Sequence, residues 1–94
     1  MRKTRPVVVL SSQTVRLLPV RIVVPVTGWQ EHFVNSPWKV RLDPDLHNQL
    51  SKPSAADCLQ VRCLAVERFS ERLGRLPQDV VQDMIDALNY CLEE

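Results

Sequence analysis

Residues 3–12 read K-T-R-P-V-V-V-L-S-S, a cationic turn that feeds directly into an apolar run. Val7, Val8, Val9 and Leu10 are β-branched or bulky and continuous, so they predict a strand buried on both faces. Pro6 has no N–H and fits only the first position of such a strand. It also drives Arg5 into an extended conformation. A guanidinium held at the mouth of a rigid element can be aimed, and its fork matches a phosphate.

Downstream, residues 11–14 form a polar turn, and residues 15–26, V-R-L-L-P-V-R-I-V-V-P-V, predict a second long β segment. Pro19 and Pro25 interrupt it, which predicts two pieces or an edge strand with a bulge. Thr27 and Gly28 end it. Residues 29–37 then make a loop longer than a plain hairpin needs, and long loops in small domains are often functional. Trp38, Val40 and Leu42 alternate with Lys39 and Arg41, predicting a strand with the first set inward and the cations outward. Residues 43–56 read as a second loop. Leu59, Val61 and Cys63 alternate with Gln60 and Arg62 as another half-buried strand, residues 66–70 as a turn or short helix, and residues 71–76 as a short last strand. Val80, Val81, Met84, Ile85, Leu88, Cys91 and Leu92 lie at the spacing of an amphipathic helix, with Pro77 at its first position and Asp79 in its first turn.

These elements predict one domain over residues 1–94, mainly β, a small coiled barrel with a C-terminal helix. At 45% apolar and 24% charged the chain falls in the range of ordinary globular domains and outside that of disordered ones. Three cysteines, an odd number, argue against a disulfide framework and for a reducing compartment. Cys58 and Cys63 on one strand would point to opposite faces, so they would neither pair nor share a metal. No apolar stretch approaches the roughly 20 residues that span a bilayer, and four apolar residues after the basic start are too few for a signal peptide. A cytoplasmic protein away from the membrane is expected. The net charge of +1 hides an asymmetry: residues 1–42 carry seven Lys or Arg against one acid, a net of +6, while residues 43–94 carry a net of −5. That split predicts a polyanion-binding surface on the basic side. Residues 77–94 hold five acids and no Lys or Arg, so the helix suits packing or subunit contact rather than RNA.

The ordered set K-T-R-P-V-V-V-L-S-S, V-V-P-V-T at residues 23–27, C-L-Q-V-R at 58–62 and R-L-G-R-L at 72–76 resembles the PemK/MazF group of toxin endoribonucleases across nearly all of residues 3–92. The resemblance implies an SH3-like barrel, a homodimer and a small antitoxin whose acidic tail fills a basic groove, the toxin–antitoxin complex being DNA-binding. It implies metal-independent cleavage of single-stranded RNA with the ribose 2′-hydroxyl as nucleophile, no cofactor, and products with 2′,3′-cyclic phosphate and 5′-hydroxyl ends. It carries the arginine of the family's R-P motif onto Arg5 and its strand-ending threonine onto Thr27 as the catalytic pair. Members usually begin with a further strand of type R-G-D-[IV] ahead of K-x-R-P, and without it a sheet edge is expected to stand unpaired.

In-line attack on phosphorus builds charge on the non-bridging oxygens, which a guanidinium meets bidentately and a hydroxyl can support. Gln60 is a candidate for touching RNA, and Lys3, Lys39 and Arg41 are candidates for neutralising backbone phosphates. Trp29 and Phe33 are candidates for stacking on unpaired bases. Each has a plainer alternative: a solvated cation for Arg5, a strand-ending hydroxyl for Thr27, a solvent-facing amide for Gln60, core packing for the aromatics. His32 and His47 sit in predicted loops with no carboxylate to orient either ring, and read as surface residues rather than a two-histidine nuclease site. Two rival functions remain: a barrel that binds RNA or antitoxin without cutting, and a gyrase-directed toxin of the same fold.

Overall fold

The computed structural model describes residues 5–11 and 17–92. Five strands form one antiparallel sheet: β1 (Val7–Val9), β2 (Val20–Gly28), β3 (Lys39–Leu42), β4 (Ser54–Asp57) and β5 (Arg62–Ala65), followed by one helix, α1 (Gln78–Leu92). The order is β1-β2-β4-β3, with β5 also on β2. Val23 has Val9 on one side and Arg62 on the other, so β1 and β5 flank the first half of β2. β4 takes over where β5 stops, pairing with Val26, Thr27 and Gly28. Among the described residues the sheet does not close into a barrel, but the mainly β architecture with one C-terminal helix is the class expected from the sequence.

β2 runs unbroken through Pro25, contrary to the interruption its prolines predict. The reason lies in the pairing. β5 takes residues up to Val23 and β4 begins at Val26, so Pro25 falls in the gap and its missing N–H orphans no ladder partner. Pro19 precedes the strand, and its carbonyl accepts the N–H of Val66. The early part of the predicted segment includes residues 12–16, which lie outside the described residues.

Alternation along each strand sorts the sheet into two faces. Val24, Val26, Val40, Leu42 and Ala56 line one face with Val8 and Leu10, and α1 covers it through Met84, Ala87 and Val80. Met84 is wholly buried, worth about 1.5–3 kcal/mol relative to exposure. The rest of the predicted helical stripe is less engaged: Ile85 and Leu92 are exposed. The helix begins at Gln78, one residue after Pro77, whose carbonyl accepts the Val81 N–H at 3.1 Å.

Four expectations need correcting. β1 pairs with β2 alone among the described residues, and Val9 is 47% exposed, so the strand is not buried on both faces. Residues 54–57 are not loop but the strand β4, all four residues buried between β2 and β3. The predicted strand around Leu59 is broken by a 3-10 turn at Cys58–Gln60, which leaves Leu59 and Cys63 exposed and removes the alternation that set Cys58 against Cys63. Residues 71–76 carry no strand, while the short 3-10 turn at Val66–Arg68 is as read. Among the described residues no helix is long and apolar enough to cross a membrane.

Candidate functional site

The site is built on the face of the sheet turned away from α1. β1 and β2 pair Val7 with Pro25, and the Val26 N–H donates to the Pro6 carbonyl at 3.1 Å, which carries the ladder past the end of β1. The same register, two places further, sets Arg5 opposite Thr27. Both residues are exposed. Beyond Thr27 the row continues across β4 and β3 to Ala55 and then Arg41. A hydroxyl thus stands between two guanidiniums, with a fully buried alanine as the low floor beside it. At about 4.8 Å between neighbouring strands, the row spans about 14 Å. That is room for a phosphodiester and its flanking sugars.

The next row holds the cross-strand pair Lys39 and Asp57. Lys39 does not point freely outward as its alternation predicts. Its ammonium lies 3.0 Å from Asp57 Oδ2, its side chain is only 16% exposed, and it sits 4.4 Å from the Phe33 ring centre. Asp57 Oδ2 also accepts from Gln60 Nε2 at 2.7 Å, whereas Asp57 Oδ1 is buried without a partner. Gln60 is exposed, and with its amide nitrogen turned to the carboxylate its carbonyl oxygen remains available. The pair is partly desolvated, so breaking it would strand a charge.

Phe33 is the buried residue of a 3-10 turn at Glu31–Asn35 inside the loop after β2. Trp29 meets it edge-on at 5.6 Å, His32 packs on it at 4.7 Å, and the Arg41 guanidinium stacks 5.0 Å from the Trp29 ring. Arg41 also contacts Asp43 at 2.9 Å through Nε. Trp29 is half-buried and anchored by its N–H to the Pro53 carbonyl. Arg5, Thr27, Arg41 and Trp29 therefore converge on one face, with Lys39 and Gln60 behind them on Asp57. Lys3 lies outside the described residues.

Sequence reasoning missed Lys52 and Asp57. The Lys52 ammonium passes 3.4 Å from where a Cβ on Gly28 would stand, beside Thr27, and no local pattern marks a lysine in that loop. Asp57 follows two alanines, and only its burial between strands gives it meaning. Of the histidines, His32 belongs to the Phe33 cluster and His47 to the loop after β3, and neither ring bonds a carboxylate among the described residues. No three His, Cys, Asp or Glu side chains gather to hold a metal among the described residues. The Cys58 thiol is pushed up to about 11 by burial first, then by Cys91 and Asp57, which makes it a poor nucleophile.

The sequence matches the profile of the PemK-like, MazF-like toxins of type II toxin–antitoxin systems over residues 1–92. Among solved structures it is similar to the Mycobacterium tuberculosis toxin MazF-mt6, with a TM-score of 0.79 at 24% identity, covering 94% of this chain and 85% of that one. It is also similar to MazE–MazF from Deinococcus radiodurans, with a TM-score of 0.74 at 26% identity over 94% of this chain and 83% of that one. No curated protein sequence matches it.

Proposed function

The chain belongs to the PemK-like, MazF-like toxins of type II toxin–antitoxin systems, and on that premise we propose that it is an endoribonuclease cutting single-stranded RNA without a metal. The observation that carries this reading is Arg5 facing Thr27 across the β1–β2 ladder, both open to solvent. In the proposed step a ribose 2′-oxygen attacks the adjacent phosphorus, its proton passes to solvent, and the P–O5′ bond breaks as the leaving oxygen gains a proton. The guanidinium of Arg5 meets the charge that builds on the non-bridging oxygens, and the Thr27 hydroxyl donates to the same group. Arg5 acts by electrostatics, since a guanidinium holds its proton at any working pH. Lys52 and Arg41 extend the positive surface on either side, Trp29 offers a stacking edge, and Gln60 a hydrogen-bonding amide.

The D. radiodurans match is a MazE–MazF structure, and this chain is read in the same way as the partner of an antitoxin whose acidic segment competes for the basic face. The exposed Ile85, Tyr90 and Leu92 on α1 supply apolar surface for a homodimer. A cytoplasmic location fits an RNA target. The test is cleavage of single-stranded RNA in EDTA by the chain and by Arg5→Ala and Thr27→Ala. Activity lost in EDTA, or kept at full rate by both variants, would falsify this reading.

A further inference from the structure

The R-L-G-R-L stretch at residues 72–76 has no part in the site above, yet it builds a cleft of its own. Gly74 is pressed so tightly onto the loop after β3 that a Cβ there would lie 2.0 Å from the His47 carbonyl oxygen. The Arg75 N–H donates to that oxygen at 2.8 Å. The opposing loop is equally fixed. Asn48 is 7% exposed; its Nδ2 donates to the Asp43 carbonyl, and its Oδ1 accepts from the Asp45 and Leu50 N–H groups. Asp45 Oδ1 accepts from the His47 and Asn48 N–H groups. Between the two stitched segments lies an open cleft of about 400 Å³ lined by His47, Arg72, Gly74, Arg75, Leu76 and Pro77.

Its chemistry is one-sided. Two guanidiniums and an imidazole form the polar rim, Leu76 and Pro77 the apolar wall, and no carboxylate lines it. The ion pairs among the described residues are Lys39–Asp57 and Arg41–Asp43, so neither arginine of the cleft is neutralised within the described chain. The size falls within the range of small-molecule sites. Guanidinium and imidazole planes stack on bases, and guanidiniums fork onto phosphate.

We propose that this cleft is a second nucleotide subsite, taking a phosphate on Arg72 and Arg75 and its base against His47 and Pro77. It rests on the reading of the chain as an RNA-cutting protein and extends that reading to a longer stretch of the same strand. The path is continuous: β2 ends at Gly28, whose neighbours are Ser54 and then Leu42, so the loop that carries His47 leaves the sheet at the Thr27 end. Lys52, lying over Gly28, stands between the two sites.

The test uses a single-stranded 12-mer with 2′-O-methyl riboses, which removes the nucleophile, so its outcome does not depend on cutting. Affinity is read by anisotropy across a salt series for the full chain, Arg72→Ala/Arg75→Ala and Arg72→Lys/Arg75→Lys. The alanine pair should bind about tenfold more weakly near 0.1 M salt, with a log–log salt slope shallower by about 1.4, about 0.7 for each lost phosphate contact. The lysine pair should keep the slope. A trinucleotide bound at the Arg5–Thr27 face should bind all three chains alike. In the unaltered chain the Gly74 and Arg75 backbone amide resonances should move on titration with the 12-mer and not with the trinucleotide. Equal slopes and affinities, still resonances, or no binding of the 12-mer by the unaltered chain would each overturn the proposal. So would a Glu-rich peptide that loses affinity for the alanine pair while the 12-mer does not, which would make the cleft a site for acidic polypeptide.

Discussion

Arg5 stands opposite Thr27 in the antiparallel register of β1 and β2, the two residues joined through the Val26 N–H to Pro6 carbonyl bond beside them. Pro6 fixes the backbone that presents the guanidinium, and the end of β2 presents the hydroxyl. Neither residue is buried, so both can be altered without disturbing the core. Replacing Arg5 with alanine should lower RNA cleavage by about 10²–10³-fold, the scale for one donor aimed at developing charge. Thr27→Ala should cost about 10-fold to 10²-fold, as for one hydrogen bond to a charged group. Single-turnover rates give both numbers, and unchanged thermal melting shows that the fold is intact.

Lys39 and Asp57 form a partly buried ion pair. Asp57→Ala should destabilise the chain by about 3–5 kcal/mol, because it leaves an ammonium in a poorly solvated place and frees Gln60. Lys39→Met with Asp57→Leu should recover most of that loss. Urea unfolding of the two single variants and the double one measures the coupling, and additive losses would show that the pair contributes nothing jointly.

The two glycines should respond oppositely to alanine. At Gly74 the new Cβ would meet the His47 carbonyl oxygen at 2.0 Å and the Asn48 Cα at 2.9 Å, backbone that cannot move aside, so Gly74→Ala should cost about 1–3 kcal/mol or more. At Gly28 the Cβ would meet only the flexible end of Lys52 at 3.4 Å, so Gly28→Ala should stay within about 1 kcal/mol of the parent. Chemical denaturation of the two variants checks the contrast.

Cys58 gives stability a pH dependence of known sign. Its folded pKa is raised from 9.0 to about 11, so folding favours the protonated thiol. That contribution is complete below about pH 9 and is lost as pH rises towards 11, because the unfolded thiol ionises first. Stability of the parent relative to Cys58→Ala should therefore fall across that window and stay level below it. Paired melts from pH 7 to 11 provide the comparison.

Much of this was legible because it is local. The apolar run ending at Pro25-Val26-Thr27, the helical stripe around Met84 and the R-P pair each declare themselves within a few residues. β4 does not, because Ser54, Ala55, Ala56 and Asp57 owe their strand to β2 and β3 on either side rather than to β propensity. For the same reason Lys39 looked like a free cation: alternation assigns its face, but its carboxylate partner is eighteen residues away. Pro25 looked like a break because the gap between two partner strands is invisible in one strand's sequence. Arg5 and Thr27 could be proposed separately, yet their facing each other follows only from the register.

The most direct test of the central claim is the chemistry of the cut ends. Single-stranded RNA incubated with the chain in EDTA should yield 2′,3′-cyclic phosphate and 5′-hydroxyl termini, read by mass spectrometry. A substrate with a single 2′-deoxy residue at the cleaved position should survive, and Arg5→Ala should leave the parent RNA uncut. Intact RNA with the unaltered chain, 5′-phosphate ends, or cleavage of the deoxy-substituted strand would contradict the account.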